Sequence, residues 1–266
     1  MTTANPVLPL PAFSDNYIWL LRQGDHAVVV DPGDARPVLE LIERERLELA
    51  AILITHHHGD HQGGVAELLA AAPRAEVFGP AAESITGVSR PLSGGETIRI
   101  GAIGREFRVM AVPGHTRGHL AYYGAGQLFC GDTLFGAACG RIFEGTPEQM
   151  AASLASLAAL PDDTAVHCAH EYTAANLRFA LVVEPGNPRV HERAAAVAEL
   201  RARGLPTVPS TIAEEKASNP FLRCGEPEVI ASVQRWCAES AQPTPAASDP
   251  VAIFAALRAW KNDFKG

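Results

Sequence analysis

Short apolar runs alternate with turn residues over the first two thirds of the chain, and the period changes beyond them. Runs at 17–21, 27–30, 51–54, 76–78, 97–100, 107–112, 120–123, 127–130 and 165–168 hold β-branched and aromatic residues between Gly, Pro, Asp or Asn, which predicts strands. Three segments between them, 36–45, 64–71 and 147–160, switch to helical spacing. The last has the fullest start signal: Thr146 as cap, Pro147 as first helical residue and Glu148 in the first turn. After Tyr172 the strand signal fades. Ala, Leu and Arg recur at helical spacing over 174–183, 188–203, 226–239 and 250–262, separated by EPGNP, GLPTVPST and AQPTPAASD. The pattern predicts a strand-rich domain over 1–172 followed by a helical domain over 173–266, with no internal repeat.

Composition adds exclusions. With 266 residues, 47% hydrophobic and 20% charged, the chain is neither disordered nor fibrous, and its length fits one large or two modest domains. The net charge of -8 is unevenly spread. Residues 1–172 hold 11 Arg against 20 Asp and Glu, or -9, and 173–266 hold 11 Lys and Arg against 10, or +1. That sign argues against nucleic acid or an anionic membrane as partner. No apolar run approaches the ~18 residues of a membrane span, and the opening MTTANPVLPLPAF has three prolines and no cationic segment, so no secretory signal is readable. Five cysteines without CxxC spacing argue against a disulfide framework or a structural zinc finger. A reducing compartment, the cytoplasm, is the expected location.

Candidate chemistry concentrates after the run 51–54, where Thr55 is followed by His56, His57, His58, Gly59, Asp60 and His61. In an extended segment His56 and His58 project to one side, while Asp60 and His61 at the following bend face a neighbouring point, so one segment can feed two metals. His115, Asp132 and His170 each stand just past another predicted strand, where a sheet gathers distant residues into one pocket. Neutral imidazoles with a few carboxylates suit zinc, iron or manganese.

These residues carry a resemblance. THHHGDH matches the THxHxDH signature of the metallo-β-lactamase superfamily, and PGHTRGH, CGDTLF, CGRIFEGT and HEYT resemble the hydroxyacylglutathione hydrolase, or glyoxalase II, family within it. The likeness continues through EPGN, PTVPST, NPF and a terminal RxxKxxFK, and so spans nearly the whole chain. It implies an α+β fold, an αβ/βα sandwich of two sheets covered by helices, with a C-terminal helical domain over the active site. It implies two divalent ions, zinc foremost, with iron or manganese as alternatives. His56, His58 and His115 would hold the first ion, Asp60, His61 and His170 the second, and Asp132 would bridge them. Asp31, in VVVDPG, would orient ligands from behind. His57 is the free position of the motif, and His119 and His167 are expected to support or pack rather than ligate.

On the substrate side the resemblance assigns the glycine carboxylate of glutathione to Arg258 and Lys261, three apart on one face of the last predicted helix and expected at least half exposed. Arg141, standing in place of a common Lys, and Tyr172 match further glutathione-contacting positions. Phe143 stands where many relatives have a Tyr and lacks one hydroxyl hydrogen bond. The implied reaction is hydrolysis of S-(2-hydroxyacyl)glutathione, chiefly S-D-lactoylglutathione, the second step of methylglyoxal detoxification, by a monomer. A metal-held hydroxide is the expected nucleophile, with Asp60 and Asp132 as the carboxylates of the reaction and Cys139 only a packing residue. Two alternatives stand beside it: a persulfide dioxygenase on the same fold, which would use a single iron, and a metal-dependent binding module that retains the fold.

Overall fold

A strand whose residues are apolar at every position needs cover on both faces, and the first sheet is built from such strands. The computed structural model describes residues 7–266. In chain order the sheet contains β1 (Val7–Ala12), β2 (Asn16–Gln23), β3 (His26–Val30), then helix α1 (Arg36–Glu45), β4 (Glu48–Leu53), the one-turn helix α2 (Gly59–Gln62), α3 (Val65–Ala71), β5 (Glu76–Pro80) and β6 (Arg90–Leu92). The six strands lie side by side in that order. Along β2, Ile18 and Leu20 join Val38 and Leu41 of α1 and Val65 and Leu68 of α3, while Tyr17, Trp19 and Leu21 point the other way. The same alternation separates Val29 from Val28 and Val30, and Ile52 from Ala51 and Leu53.

That second face packs on another six-stranded sheet. It is formed by β7 (Thr97–Ile100), β8 (Arg105–Ala111), β9 (Leu120–Gly124), β10 (Gln127–Gly131), β13 (Ala165–Cys168) and β14 (Ser210–Thr211), in spatial order β14-β13-β10-β9-β8-β7. Between β10 and β13 come a small hairpin, β11 (Leu134–Phe135) and β12 (Ala138–Cys139), and helix α4 (Pro147–Ala158). Trp19, Leu53 and Phe78 of the first sheet meet Phe107, Val109, Tyr122 and Phe129 of the second in one continuous core. Helices α5 (Thr173–Val183), α6 (Pro188–Ala202), α7 (Ile212–Ser218), α8 (Pro227–Glu239) and α9 (Pro250–Asp263) complete the chain. Met150 and Leu154 of α4, Val229 of α8 and Phe254 and Leu257 of α9 extend that core. The layering is helix, sheet, sheet, helix.

The predicted start of α4 is present as a full capping box: Thr146 Oγ1 accepts from Gln149 N, and Gln149 Oε1 accepts from Thr146 N. Such a cap is worth about 1 kcal/mol. Five strands and two helices, the one-turn α2 among them, went unpredicted. β1 contains Pro9 and Pro11 and β6 contains Pro91, which disguise them as turns, but both are edge strands, where a missing N–H costs little. β14 and α7 lie where PTVPST reads as a linker; Thr211 caps α7 by accepting from Glu214 N. The hairpin β11–β12 is too short to register in a sequence pattern. Its polar backbone groups are met by side chains of the helical half. Glu215 accepts from Ala137 N at 2.9 Å, Asn176 donates to Gly136 O at 3.0 Å, and Asn219 donates to Phe135 O and Ala138 O. Glu215 is fully buried, paired with Arg193 at 2.6 Å and bonded to Ser210 and Asn219.

Candidate metal centre

Four strand ends deliver the polar side chains to one place. After β4 the chain stays extended through His58, so His56 and His58 share a side, and then coils into α2, which turns Asp60 and His61 towards a second point. Gly33, on the turn after β3, makes that approach possible: a Cβ there would lie 1.9 Å from the backbone oxygen of Asp60. His115 follows β8, Asp132 follows β10, and His170 follows β13.

The side chains form two converging sets. His56 Nε2 and His115 Nε2 each lie 3.0 Å from His58 Nδ1, so three ring nitrogens meet. On the other side Asp60 Oδ2 lies 3.5 Å from His61 Nε2 and 3.4 Å from His170 Nε2. Asp132 stands between: Oδ1 is 3.4 Å from both His61 Nε2 and His170 Nε2, and Oδ2 is 3.4 Å from His115 Nε2. His61 Nε2 and Asp132 Oδ1 are buried without a hydrogen-bond partner. Buried polar atoms are rarely left so, and with imidazole and carboxylate donors around them these atoms fit a pair of divalent cations.

Electrostatics separates the two sets. Burial holds His56 well below its ordinary value, reinforced by His61, His119, His115 and His58, and burial likewise lowers His58 and His115. Their nitrogens carry free lone pairs at neutral pH. His170 is pushed up to about 11, because hydrogen bonding to Asp132, Asp60 and Asp15 outweighs burial. Asp60 is held well below the carboxylate range by the hydrogen bond from His170, against burial, and then by His61 and Asn16. Asp132 is held there, also against burial, by His61, His170 and His115. Negative charge in the second set asks for a cation.

Behind the candidate ligands lies a layer that fixes ring orientation. Asp31, in a left-handed backbone conformation (φ 53°), accepts from Thr55 N and Thr55 Oγ1 and lies 3.0 Å from His61 Nδ1. Thr55 Oγ1 in turn is 3.0 Å from His56 Nδ1. His115 Nδ1 is 2.8 Å from the Arg141 carbonyl, and His170 Nδ1 is 2.8 Å from Asp15. Asn16 donates to Asp60 Oδ2. His119 stacks on His56 and accepts from Asp132 N. His167 is buried against Trp19 and Phe129, and burial lowers it to about 3. Asp15 and Asn16 escape sequence reading, since their partners arrive from distant segments; Asp15 and His170 are 155 residues apart.

Aromatic and cationic groups flank the centre. Phe143 is 59% exposed, with its ring 5.2 Å from that of His115, and the Arg141 guanidinium lies 6.0 Å from it. On the opposite side Tyr172 stacks on His170 at 4.7 Å. Arg258 and Lys261 share a face of α9, but the expected half-exposed Arg258 is a correction: it is buried, donates to Cys139 O at 2.8 Å and lies over Phe221. The side chain therefore braces β12 as well as supplying charge. Lys261 lies over Phe179 and Phe264, and burial lowers it to about 8, helped by Arg258 and by Arg178, a third cation absent from the sequence reading. Cys139 is buried, and burial pushes its thiol up against the influence of Arg258.

The model of the metallo-beta-lactamase superfamily matches residues 12–81 and 70–170, and that of the hydroxyacylglutathione hydrolase C-terminus matches residues 171–264. A hydroxyacylglutathione hydrolase of Dechloromonas aromatica is 60% identical over 262 residues, covering 96% of this chain and 98% of the relative. One of Methylobacillus flagellatus is 54% identical over 258 residues, covering 97% and 99%. Among solved structures, ETHE1 from Myxococcus xanthus superposes with a TM-score of 0.63 at 25% identity, covering 96% of this chain and 97% of that one. TTHA1623 in a di-iron-bound form superposes with a TM-score of 0.52 at 31% identity, covering 62% and 91%.

Proposed function

Because the chain belongs to the hydroxyacylglutathione hydrolase family of the metallo-β-lactamase superfamily, we propose that it hydrolyses S-(2-hydroxyacyl)glutathione thioesters. S-D-lactoylglutathione is the chief substrate, split to glutathione and D-lactate in the disposal of methylglyoxal. The observation that carries this reading is Asp132, one carboxylate with an oxygen turned to each of two ligand sets. A single-metal enzyme has no use for the second set of Asp60, His61 and His170.

His56, His58 and His115 would hold one ion and Asp60, His61 and His170 the other, with Asp132 shared. Zinc is the ion we assign, because imidazole and carboxylate donors suit it, and iron suits the same donors. When bound, the pair supplies Lewis acidity and brings the pKa of a shared water from ~15.7 towards ~7. Asp60 and Asp132 keep their carboxylates ionised, so they would serve as anionic ligands, and Asn16 holds Asp60 in place by donating to its Oδ2. Asp31, Asp15 and the Arg141 carbonyl hold the imidazoles in one orientation. Glutathione, with a thiol pKa of about 8.5, leaves as thiolate, so no side chain need protonate it.

Recognition is assigned to groups around the centre. Phe143 and Tyr172 offer apolar walls on opposite sides, Arg141 adds charge, and Arg258 with Lys261 supplies the cations for the glycine carboxylate. Both ligand sets and these cations come from one chain, which suits a monomer. All five cysteines are free and buried, which suits a reducing compartment such as the cytoplasm, and no helix among the described residues is long and apolar enough to cross a membrane. Metal analysis of the purified protein with a thioester assay on S-D-lactoylglutathione tests the reading. Two equivalents of metal and turnover that chelation abolishes and zinc restores are expected. An intact thioester before a fully metal-loaded protein would overturn it.

A further inference from the structure

His57, the free position of the THHHGDH motif, points away from the metal nitrogens to a carboxylate with no part in the reaction as described so far. Glu83 follows β5 on an otherwise exposed turn, yet its side chain is only 4% exposed. Its Oε2 accepts from the main-chain N of His57 at 2.6 Å and lies 3.0 Å from His57 Nδ1. Its Oε1 accepts from the Thr116 hydroxyl at 2.5 Å and from Gly118 N at 2.9 Å. Glycine at 118 makes room, since a Cβ there would lie 2.6 Å from Glu83 Cγ.

The two oxygens thus serve different loops. Oε2 holds the residue between His56 and His58, and Oε1 holds the loop that starts at His115. All three nitrogens of the first set sit on those two loops. Nothing in the second set, Asp60, His61 and His170, touches Glu83. We propose that Glu83 is a positioning residue for the first metal tripod, a buried carboxylate that ties the His56–His58 loop to the His115 loop and sets the spacing of their nitrogens.

The proposal rests on reading His56, His58 and His115 as ligands. A carboxylate is required because all its hydrogen-bonding neighbours at the backbone and Thr116 are donors. In Glu83→Gln the amide nitrogen must face either His57 N–H or Thr116 O–H and Gly118 N–H, so one loop loses its anchor and meets a donor instead. Partners bonded directly to a ligating ring are typically worth about 10- to 100-fold in metal affinity, and Glu83 acts on the same rings through the backbone that carries them.

The test is titration of the metal-free full-length chain with Co2+, followed by the paramagnetically shifted imidazole N–H signals. His115, with Nδ1 beside the Arg141 carbonyl, reports the first set, and His170, with Nδ1 beside Asp15, reports the second. Glu83→Gln should move filling of the first set to about 10- to 100-fold higher Co2+ and leave the second within about threefold. Thr116→Val, which removes one donor to Oε1 alone, should shift the first set in the same direction by less, and decides the matter if Glu83→Gln does not fold. Equal weakening of both sets, or no shift of the His115 signal in either variant, overturns the proposal. A wild-type chain that fills only one set overturns the two-metal reading, and this proposal with it.

Discussion

Asp132 concentrates the chemistry in one side chain, because its two oxygens face different ligand sets and one of them has no hydrogen-bond partner. Asp132→Ala should lower metal content from two equivalents to one or none and remove most of kcat, measured by metal analysis and thioester turnover. Retention of two metals at near-native rate would end the bridging assignment. Lys261 gives a pH dependence. With its ammonium lowered to about 8, it is charged below that value and neutral above it, so affinity for a carboxylate is present at neutral pH and lost on the alkaline side. A charged hydrogen bond contributes roughly 1.5–3 kcal/mol, so kcat/KM should fall on the order of tenfold above pH ~8. Lys261→Arg, which stays charged, should flatten that limb; an unchanged alkaline fall would detach Lys261 from substrate binding. At this scale the sequence was informative wherever a His or Asp stood beyond an apolar strand, which is how all the side chains of the two sets could be named. Asp15, Asn16 and Glu83 gave no such signal. Asp15 and Glu83 sit on turns and Asn16 opens β2, all in segments of ordinary composition, and the role of each arises only where a distant segment comes to rest against it.

Short elements hold the centre more than long ones do. The four-residue α2 sets the direction of Asp60 and His61, and it rests on the bare backbone of Gly33. Gly33→Ala should push α2 away, cost about 1–3 kcal/mol of stability by overpacking and weaken the second metal selectively. A thermal melt and metal titration read both effects, and an unshifted second site would show that α2 can slide without consequence. The β11–β12 hairpin depends on Asn219, which donates to Phe135 O, Ala138 O and Glu215. Asn219→Ala leaves buried carbonyls unpaired, at about 1–3 kcal/mol, and should lower Tm by several degrees as well as kcat, because the hairpin joins Asp132 to Arg141. A wild-type Tm would mean that the hairpin stands unaided. The longer helices and strands were legible because several turns or alternations average out local exceptions. A two-residue strand or a one-turn helix carries too few positions for periodicity, and packing alone decides it.

At the scale of the whole molecule, alternation within β2, β3 and β4 assigned strands but could not say which of their two buried faces meets the other sheet; the sandwich came from resemblance. The change of pattern near Tyr172 likewise conceals how far the halves interpenetrate. β14 from the helical half completes the second sheet, and Asn176, Glu215, Asn219 and Arg258 satisfy the hairpin of the first half. A fragment of residues 1–172 should therefore melt without a cooperative transition and fail to take up two metals, by circular dichroism and metal analysis. A cooperative melt with two bound equivalents would show that the first half is self-sufficient. The proline-bearing margins of the first sheet have a consequence of their own. Pro9 and Pro11, two residues apart, turn their nitrogens to the same side, away from β2, and Pro91 marks the opposite margin. A passing strand, from a nascent neighbour or an unfolded copy, finds few donors to zip onto at either border, so this sheet is ill suited to seed fibrils or runaway polymers in a crowded cell.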